Sequence, residues 1–429
     1  MTPQLTLQSP LQLDPSEISN YLNVLWSEDQ LGSTGANTFC LLVWQPAWIE
    51  QLLINNGKLK GPVIGTQREE MIEAARINIL EKDLPHSTYP LGKDVKITLE
   101  GGLDFTKLED QRGQHVDAAI SALQPRRLIT LAPTINKRQP LETLVAAYCP
   151  LSEEVGKTAA CGDVIVLRGS EDSISNHLKI LPDLMPAEMP SWLWWNGSLD
   201  ESTELLNELA SDNRRIIIDS AIGEPKRCLS FLEERVIKGQ AINDLNWLRL
   251  RNWRETLAMV FDPPSRQIEL RNVIKLDIDI EGNHPVQGLL LAAWISEKLE
   301  WDFVNTKVNE HNSISVNFRR KDGTLVLLRL TPLPVGKPSI HPGQIVGIRL
   351  ICKEINSNKK GLCVILASES GECMRLEAGG MANMNLVEEV VPKQNNVVEE
   401  DIARLLSTSR GTTSPLLLAA APIASKLFD

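Results

Sequence analysis

The chain has 429 residues, 42% of them hydrophobic and 23% charged, with a formal net charge of −11. That length exceeds what one ordinary core organises, so two domains are expected, and the composition excludes a largely disordered protein. The acidic balance argues against nucleic acid as a partner, because phosphate-backbone binders present a basic face.

Asp14-Pro15-Ser16-Glu17 reads as a helix start, with Asp14 placed to cap and Pro15 at the first helical position. Phe39 to Trp44 is a short apolar strand, and 46–56 and 66–79 carry helical spacing. Strand patterns at 95–99 and 127–131 enclose a further helix around Val116, Ile120 and Leu123, and strands follow at 143–148 and 163–168. This alternation predicts an open α/β sheet. Pro182, Pro186 and Pro190 mark a domain boundary. Beyond it come a strand at 192–195, a helix at 201–210, a strand at 215–219 and a helix at 229–237. Residues 243–261 read as the longest helix, stopped by Pro263-Pro264.

From Gln267 the texture changes. Residues 268–280 alternate like a half-exposed strand, 285–300 read as a helix, and 314–318, 325–330, 345–353, 362–367 and 374–377 read as an antiparallel meander. A linker at 392–396 leads to one amphipathic helix, 397–406, and a short apolar piece, 416–428. The expected fold is therefore α/β and α+β. An N-terminal open α/β domain covers 1–185, a mixed α+β domain with a largely antiparallel meander covers 186–391, and a linker and tail cover 392–429.

Met1 to Asp14 lacks the basic and apolar regions of a secretory signal, and the apolar run Pro415 to Ala424 is about half the length a membrane helix needs. Seven cysteines without CxxC spacing imply neither a disulfide framework nor a zinc motif. The expectation is a cytoplasmic protein with no membrane partner.

The search for catalytic chemistry finds little. No Walker A sequence is present and no GxGxxG follows a strand, and Gly156-Lys157-Thr158 lacks the upstream glycine of a phosphate loop. The six histidines make no HxH or HxxxH pair, and no serine sits in a GxSxG elbow. Asp277, Asp279 and Glu281 share one face of a strand, about 7 Å apart successively, but the wet face of an amphipathic strand accounts for them without a metal. No cofactor is expected.

Ten tryptophans against three tyrosines is the unusual feature, because they cluster. Trp192, Trp194 and Trp195 lie together on one strand. Trp247 and Trp253 lie on the long helix candidate with Arg249 and Arg254, where Arg249 and Trp253 stand at (i, i+4) spacing. Trp and Arg dominate the hot spots of protein interfaces, so these seven residues are the candidate partner-binding set; plain core packing with a cation–π pair is the competing account. Cys363 and Cys373 flank a hairpin turn at 368–371 and are the redox candidates. A turn centred on Ser368 places them within disulfide reach. A left-handed Gly371 instead sets Cys373 against Ala367 or Leu366, and buried free thiols are the plain alternative.

The ordered set of motifs resembles the OpcA family, the glucose-6-phosphate dehydrogenase assembly or activator proteins. Those motifs are Gln124-Pro125-Arg126-Arg127-Leu128-Ile129, the run Gly162 to Arg168, Trp194-Trp195-Asn196-Gly197, the run Arg214 to Ser220, Asp244-Leu245-Asn246-Trp247 with Trp253-Arg254, and Leu290 to Ile295. Gln124 departs from the family pattern, which has His there. The resemblance implies a non-catalytic partner of glucose-6-phosphate dehydrogenase that promotes its active assembly. It also implies a link to thioredoxin-dependent control of the oxidative pentose phosphate pathway, with no motif to assign the cysteines. The alternative is an α/β enzyme or a sugar-phosphate or nucleotide sensor with a ligand site at a strand-end crevice.

Overall fold

The computed structural model describes residues 4–6, 11–27, 39–44, 97–98, 102–103, 126–133, 138, 140–150, 162–185, 188–200, 202–210, 214–334, 343–353, 361–369, 373–380, 383–392, 405–406 and 412–428. The helices expected at 46–56, 66–79 and 116–123, and most of the one expected at 397–406, lie outside these residues. Chain contacts divide the protein into two compact units, Met1–Ile218 with Val397–Thr412, and Asp219–Asn396 with Thr413–Asp429. Both units mix helices with sheet, as the α/β and α+β expectation has it.

In the first unit, β1 (Gln4–Thr6) and β2 (Leu11–Gln12) precede α1 (Ile18–Ser27), whose entry is a 3-10 turn at Pro15–Glu17. Asp14 caps that turn, its carboxylate accepting the Ser16 N–H at 3.0 Å. Then come β3 (Phe39–Trp44), a two-stranded hairpin of β4 (Ile97–Thr98) and β5 (Gly102–Leu103), and β6 (Arg126–Pro133), β7 (Glu142–Pro150) and β8 (Gly162–Gly169). The unit continues with α2 (Glu171–Ser175), α3 (Leu181–Leu184), β9 (Ser191–Trp195), α4 (Thr203–Leu209) and β10 (Arg215–Ile218). The main sheet runs in the order β1-β7-β8-β6-β3-β9-β10, with β2 also on β7. Neighbours from β8 to β10 are parallel, and β7 adds an antiparallel flank. Strands in a covered parallel sheet need apolar residues on both faces. Accordingly β3, Phe-Cys-Leu-Leu-Val-Trp, is buried at every position. After the proline-rich stretch the chain returns to this sheet, and β9 lies parallel to β3 with Trp195 opposite Trp44.

The second unit opens with α5 (Pro225–Ile237), β11 (Ile242–Asp244), α6 (Leu245–Arg249), α7 (Arg251–Val260) and α8 (Pro264–Leu270). It continues through β12 (Val273–Glu281), α9 (Val286–Lys298), β13 (Asp302–Val308), β14 (Ile314–Arg319), β15 (Leu325–Leu333), β16 (Ile345–Cys352), β17 (Leu362–Glu369), β18 (Cys373–Gly380) and β19 (Asn383–Pro392), and ends at α10 (Pro415–Phe428). Three expectations change here. The single helix expected at 243–261 is two helices preceded by a strand, because Asp244 is extended and caps α6, and the chain breaks again at Leu250. The strand expected from Ile268 begins only at Val273, since Pro264 at the first helical position starts α8 instead. The short apolar piece at the C-terminus is a 14-residue helix whose Leu417, Ala420, Ala421, Ala424 and Leu427 are buried, packed on α5 and α9.

The sheet of this unit has eight strands in the order β13-β14-β15-β12-β16-β17-β18-β19. The meander is antiparallel as expected, except that β12 inserts between β15 and β16 and runs parallel to β15. One face is apolar and buried: Leu276, Ile278 and Ile280 of β12 lie beside Val326, Leu328 and Leu330 of β15. Helix α9, buried around most of its circumference, covers that face. Gly288 permits the approach, because a Cβ there would lie 2.3 Å from Leu330 Cδ1.

Gly343, just before β16, combines a φ of +79° with a Cβ position only 2.0 Å from the backbone oxygen of His284. Both constraints oppose any side chain. Gly343→Ala is expected to lower unfolding free energy by about 2–4 kcal/mol in urea titration, and an unchanged midpoint would contradict this packing.

Candidate functional site

Of the seven tryptophan-cluster candidates, three belong to the first unit. Trp192, Trp194 and Trp195 on β9 are 2%, 0% and 0% exposed, so neither face of that strand reaches solvent. Arg215, opposite Trp192 on the neighbouring strand, lays its guanidinium 5.2 Å from the centre of that indole. Trp195 stacks on Trp44 with centroids 4.9 Å apart and planes within 6°, while its ring N–H donates to the Ser198 carbonyl at 3.0 Å. Trp44 is a residue that sequence reasoning missed. The only available signal was that two apolar strands both end in Trp.

The other four lie in the second unit. Trp247 and Trp253 are buried. The Arg254 guanidinium sits 3.8 Å over Trp247, and burial pushes its pKa down to about 10. Arg249 does not meet Trp253. The break at Leu250 removes the continuous helix their spacing presumed, and Arg249 instead forms an ion pair with buried Asp219. All five candidate indoles therefore pack in the cores of their units. None presents a ring surface to a partner in this conformation.

What the motifs do build is a buried polar chain in the second unit. Asp219 and Ser220 open the unit. The Asp219 carboxylate accepts the Ala221 N–H at 3.0 Å. The Asp244 carboxylate accepts the Ser220 N–H at 2.9 Å, the Ser220 hydroxyl at 2.7 Å and the Asn246 N–H at 3.1 Å. The Asn246 amide donates to Ser220 Oγ at 3.2 Å and accepts from the Gln287 amide at 2.9 Å. Gln287 Oε1 then takes the Ile345 N–H at 2.9 Å. The chain thus runs from the unit's first residues through the start of α6 and of α9 to the first residue of β16. Burial, helped by the charge of Asp219, pushes the Asp244 pKa up to about 6, against the pull of the Ser220 bonds and Arg249. His284 lies near the same loop. Its Nε2 sits 3.1 Å from the Gly223 carbonyl and so carries the proton, and burial holds its pKa below the usual value.

The first unit has a comparable pair. Arg127 and Asp163 begin neighbouring parallel strands and face each other in register, with Arg127 N–H groups 2.9–3.1 Å from the carboxylate and a further bond of 2.8 Å to the Leu184 carbonyl. These residues lie at the N-terminal ends of β6 and β8, opposite the strand ends where ligand crevices form in open α/β sheets. Next to them, burial raises the Cys40 thiol to about 12.

The remaining candidates separate. On β12, Asp277 pairs with Lys275 at 2.6 Å, Asp279 has its pKa raised by burial and then by Asp277, and Glu281 is buried. Among the described residues no group of three His, Cys, Asp or Glu is placed to hold a metal ion. Cys363 stands opposite Gly379, and Cys373 opposite Glu369. Six strand positions, or about 20 Å, divide the two cysteines, so the structure does not bring them together. Cys40, Cys228 and Cys352 are buried and Cys363 is half-buried, all as free thiols.

Asp244 yields a pH prediction. Its folded pKa lies above the unfolded value, so the folded state holds this proton more tightly. The stabilisation is full below about pH 4 and is lost as pH rises to about 6. Relative to Asp244→Asn, the wild type is expected to lose roughly 1–3 kcal/mol of stability across that window in parallel urea titrations. A flat difference would mean that the carboxylate ionises normally. Separately, Asp163→Ala leaves Arg127 buried without its counter-ion and is expected to cost about 3–5 kcal/mol by the same measurement, with wild-type stability as the contradicting result.

Two family profiles match the chain. Residues 117–234 match the glucose-6-phosphate dehydrogenase subunit N-terminal domain, and residues 240–418 match the C-terminal domain of that subunit. Among curated proteins, the OxPP cycle protein OpcA of Synechococcus elongatus is 29% identical over 416 residues, covering 94% of this chain and 93% of its own. The protein of that name from Nostoc punctiforme is also 29% identical, covering 90% of this chain and 87% of its own. Among solved structures, the 3-ketoreductase KijD10 of Actinomadura kijaniata is similar over 59% of this chain and 84% of its own, at 7% identity and a TM-score of 0.37, a likeness too weak to carry an argument. With both domain profiles matched in order, and cyanobacterial relatives aligned over nearly the whole length, the chain belongs to the OpcA family of glucose-6-phosphate dehydrogenase subunits.

Proposed function

We propose that this protein is a non-catalytic regulatory partner that binds glucose-6-phosphate dehydrogenase and promotes its active assembly in the oxidative pentose phosphate pathway. The observation that carries the reading is the ordered match of both subunit domains over 117–234 and 240–418. The disposition of the polar residues supports it: Asp244, Ser220, Asn246 and Gln287 spend their hydrogen bonds on one another and on backbone, which is the pattern of a fold-holding network.

Physically, such a partner acts by binding one conformation or assembly of the enzyme more tightly than another. Moving a two-state population from mostly inactive to mostly active takes a differential of about 5.5 kcal/mol, within the reach of an ordinary interface. Since the candidate indoles are buried, the docking surface consists of other, exposed residues. Thioredoxin control is a second element of the proposal, and it runs through thiols other than a Cys363–Cys373 bridge.

Mixing the two proteins at micromolar concentration is expected to change the dehydrogenase's activity or apparent substrate affinity and to yield a co-migrating complex on size exclusion. Absence of both would overturn the reading, and turnover by this chain alone would favour an enzyme. For the thiol element, alkylation before and after reduction by thioredoxin is expected to leave Cys40 and Cys352 unlabelled, since burial raises each to about 12. Labelling and activation that are both unchanged by thioredoxin would remove the switch.

A further inference from the structure

Among the described residues of the second unit, helices cover one face of its eight-stranded sheet. The opposite face carries an ordered charge pattern that the fold itself leaves incomplete. Strand registers place Ser315, Arg329, Asp277, Arg349, Ile365 and Glu377 side by side in one row across six strands. Asp277 thus lies between two arginines. Yet it pairs only with Lys275 through Oδ2, and its Oδ1 is buried without a hydrogen-bond partner. Arg329 and Arg349 are exposed and make no ion pair among the described residues. A buried carboxylate oxygen without a hydrogen bond is costly, and charges held beside one another without pairing gain little in return.

The pattern is self-complementary. Consider a two-fold axis lying in the plane of contact, along the strands, between β12 and β16. A second copy stacked about that axis sets β12 over the partner's β16 and β15 over the partner's β17. Asp277 then meets the second copy's Arg349, twice by symmetry. Arg329 lies over Ile365, and Leu327, one row along, lies over Cys363. Ser315 receives Glu377. No like charges meet in any of these pairs. Aligned sheets pack about 10 Å apart, within the combined reach of an Asp and an Arg. The area also suffices. Eight strands at ~4.8 Å spacing and about seven residues of shared length present ~800 Å², which is the share each partner contributes to a standard stable interface.

We infer that the open face of this sheet is a homodimer interface, in which two copies of the chain stack sheet to sheet and Asp277 of each pairs with Arg349 of the other. The reading goes beyond the proposed function, since it concerns the chain without the dehydrogenase. Arg349 is exposed and makes no ion pair among the described residues, so Arg349→Glu breaks none, and the melts read the effect of setting its new charge beside Asp277 and Asp279. Sedimentation equilibrium on the full chain is expected to give twice the chain mass for the wild type at micromolar concentration, weakening with added salt. For Arg349→Glu it is expected to give dimerisation weakened about 100-fold or more, because two like-charge contacts replace two ion pairs. The charge swap Asp277→Lys with Arg349→Glu is expected to restore the dimer, with circular dichroism melts confirming that each variant folds.

A wild type that stays monomeric overturns the inference, as does a dimer indifferent to Arg349→Glu. An unchanged mass for Arg349→Glu together with lost dehydrogenase binding would assign this face to the dehydrogenase and overturn the second copy as its occupant. Since the mass is measured on the chain alone, its failure is separable from failure of the proposed function.

Discussion

The second unit is organised around one buried carboxylate. Asp244 is 1% exposed and accepts three hydrogen bonds, two from Ser220 and one from the first turn of the helix it caps. A group so placed cannot be left unpaired without a penalty of several kcal/mol, so it dictates where its donors stand. It stops β11, starts α6 one residue later and pins the loop at Asp219-Ser220. Through Asn246 and Gln287 the same constraint reaches the N-terminal turn of α9 and the first residue of β16. Helix and sheet are thereby registered to each other by polar contacts, while apolar burial supplies the bulk of the stabilisation.

Charge is handled in a consistent way in the interiors of both units. Arg127 with Asp163, Arg249 with Asp219, and Arg254 over Trp247 each give a buried cation a partner of suitable geometry. Arginine suits these places because its planar head is weakly hydrated and either forks onto a carboxylate or lies flat on an indole. The tryptophan richness of the chain follows from the same economy of space. Large flat rings fill the junction of parallel strands at Trp44 and Trp195, and they receive guanidinium groups at Trp192 and Trp247. In this conformation their contacts are architectural, inside the cores of the two units.

Exposed charge gathers instead on the face of the second sheet that carries Arg329 and Arg349. Antiparallel sheets commonly keep one face wet, and a wet face needs no partner. The difference lies in the unsatisfied oxygen of Asp277 and in the two arginines beside it, which form no ion pair among the described residues. A regulatory subunit acts by choosing among assemblies, and a face built from alternating charges favours one stacking register over its neighbours.

The residues that local physics governs were legible in order along the chain. Apolar runs such as Phe39–Trp44, the alternation of β12 and β14 to β18, and the Asp14 cap each follow from periodicity or turn chemistry within a few positions, and the mixed α/β and α+β class follows from their sequence. The ordered motifs also pointed to the family. Tertiary structure decided what those motifs are for. Spacing of 249 and 253 promised a helical pair, but a competing interaction with Asp219, distant in sequence, took Arg249 and the chain broke at Leu250. The turn before Cys373 admitted a register that joins it to Cys363 and one that sets it against Ala367 or Leu366, and the packed sheet takes neither, placing Cys373 opposite Glu369 and well apart from Cys363. The tryptophans looked like anchors because composition reports how much apolar surface a side chain has, never which side of a sheet it meets. That depends on strands and helices hundreds of residues apart closing over one another, which is where the sequence alone stops.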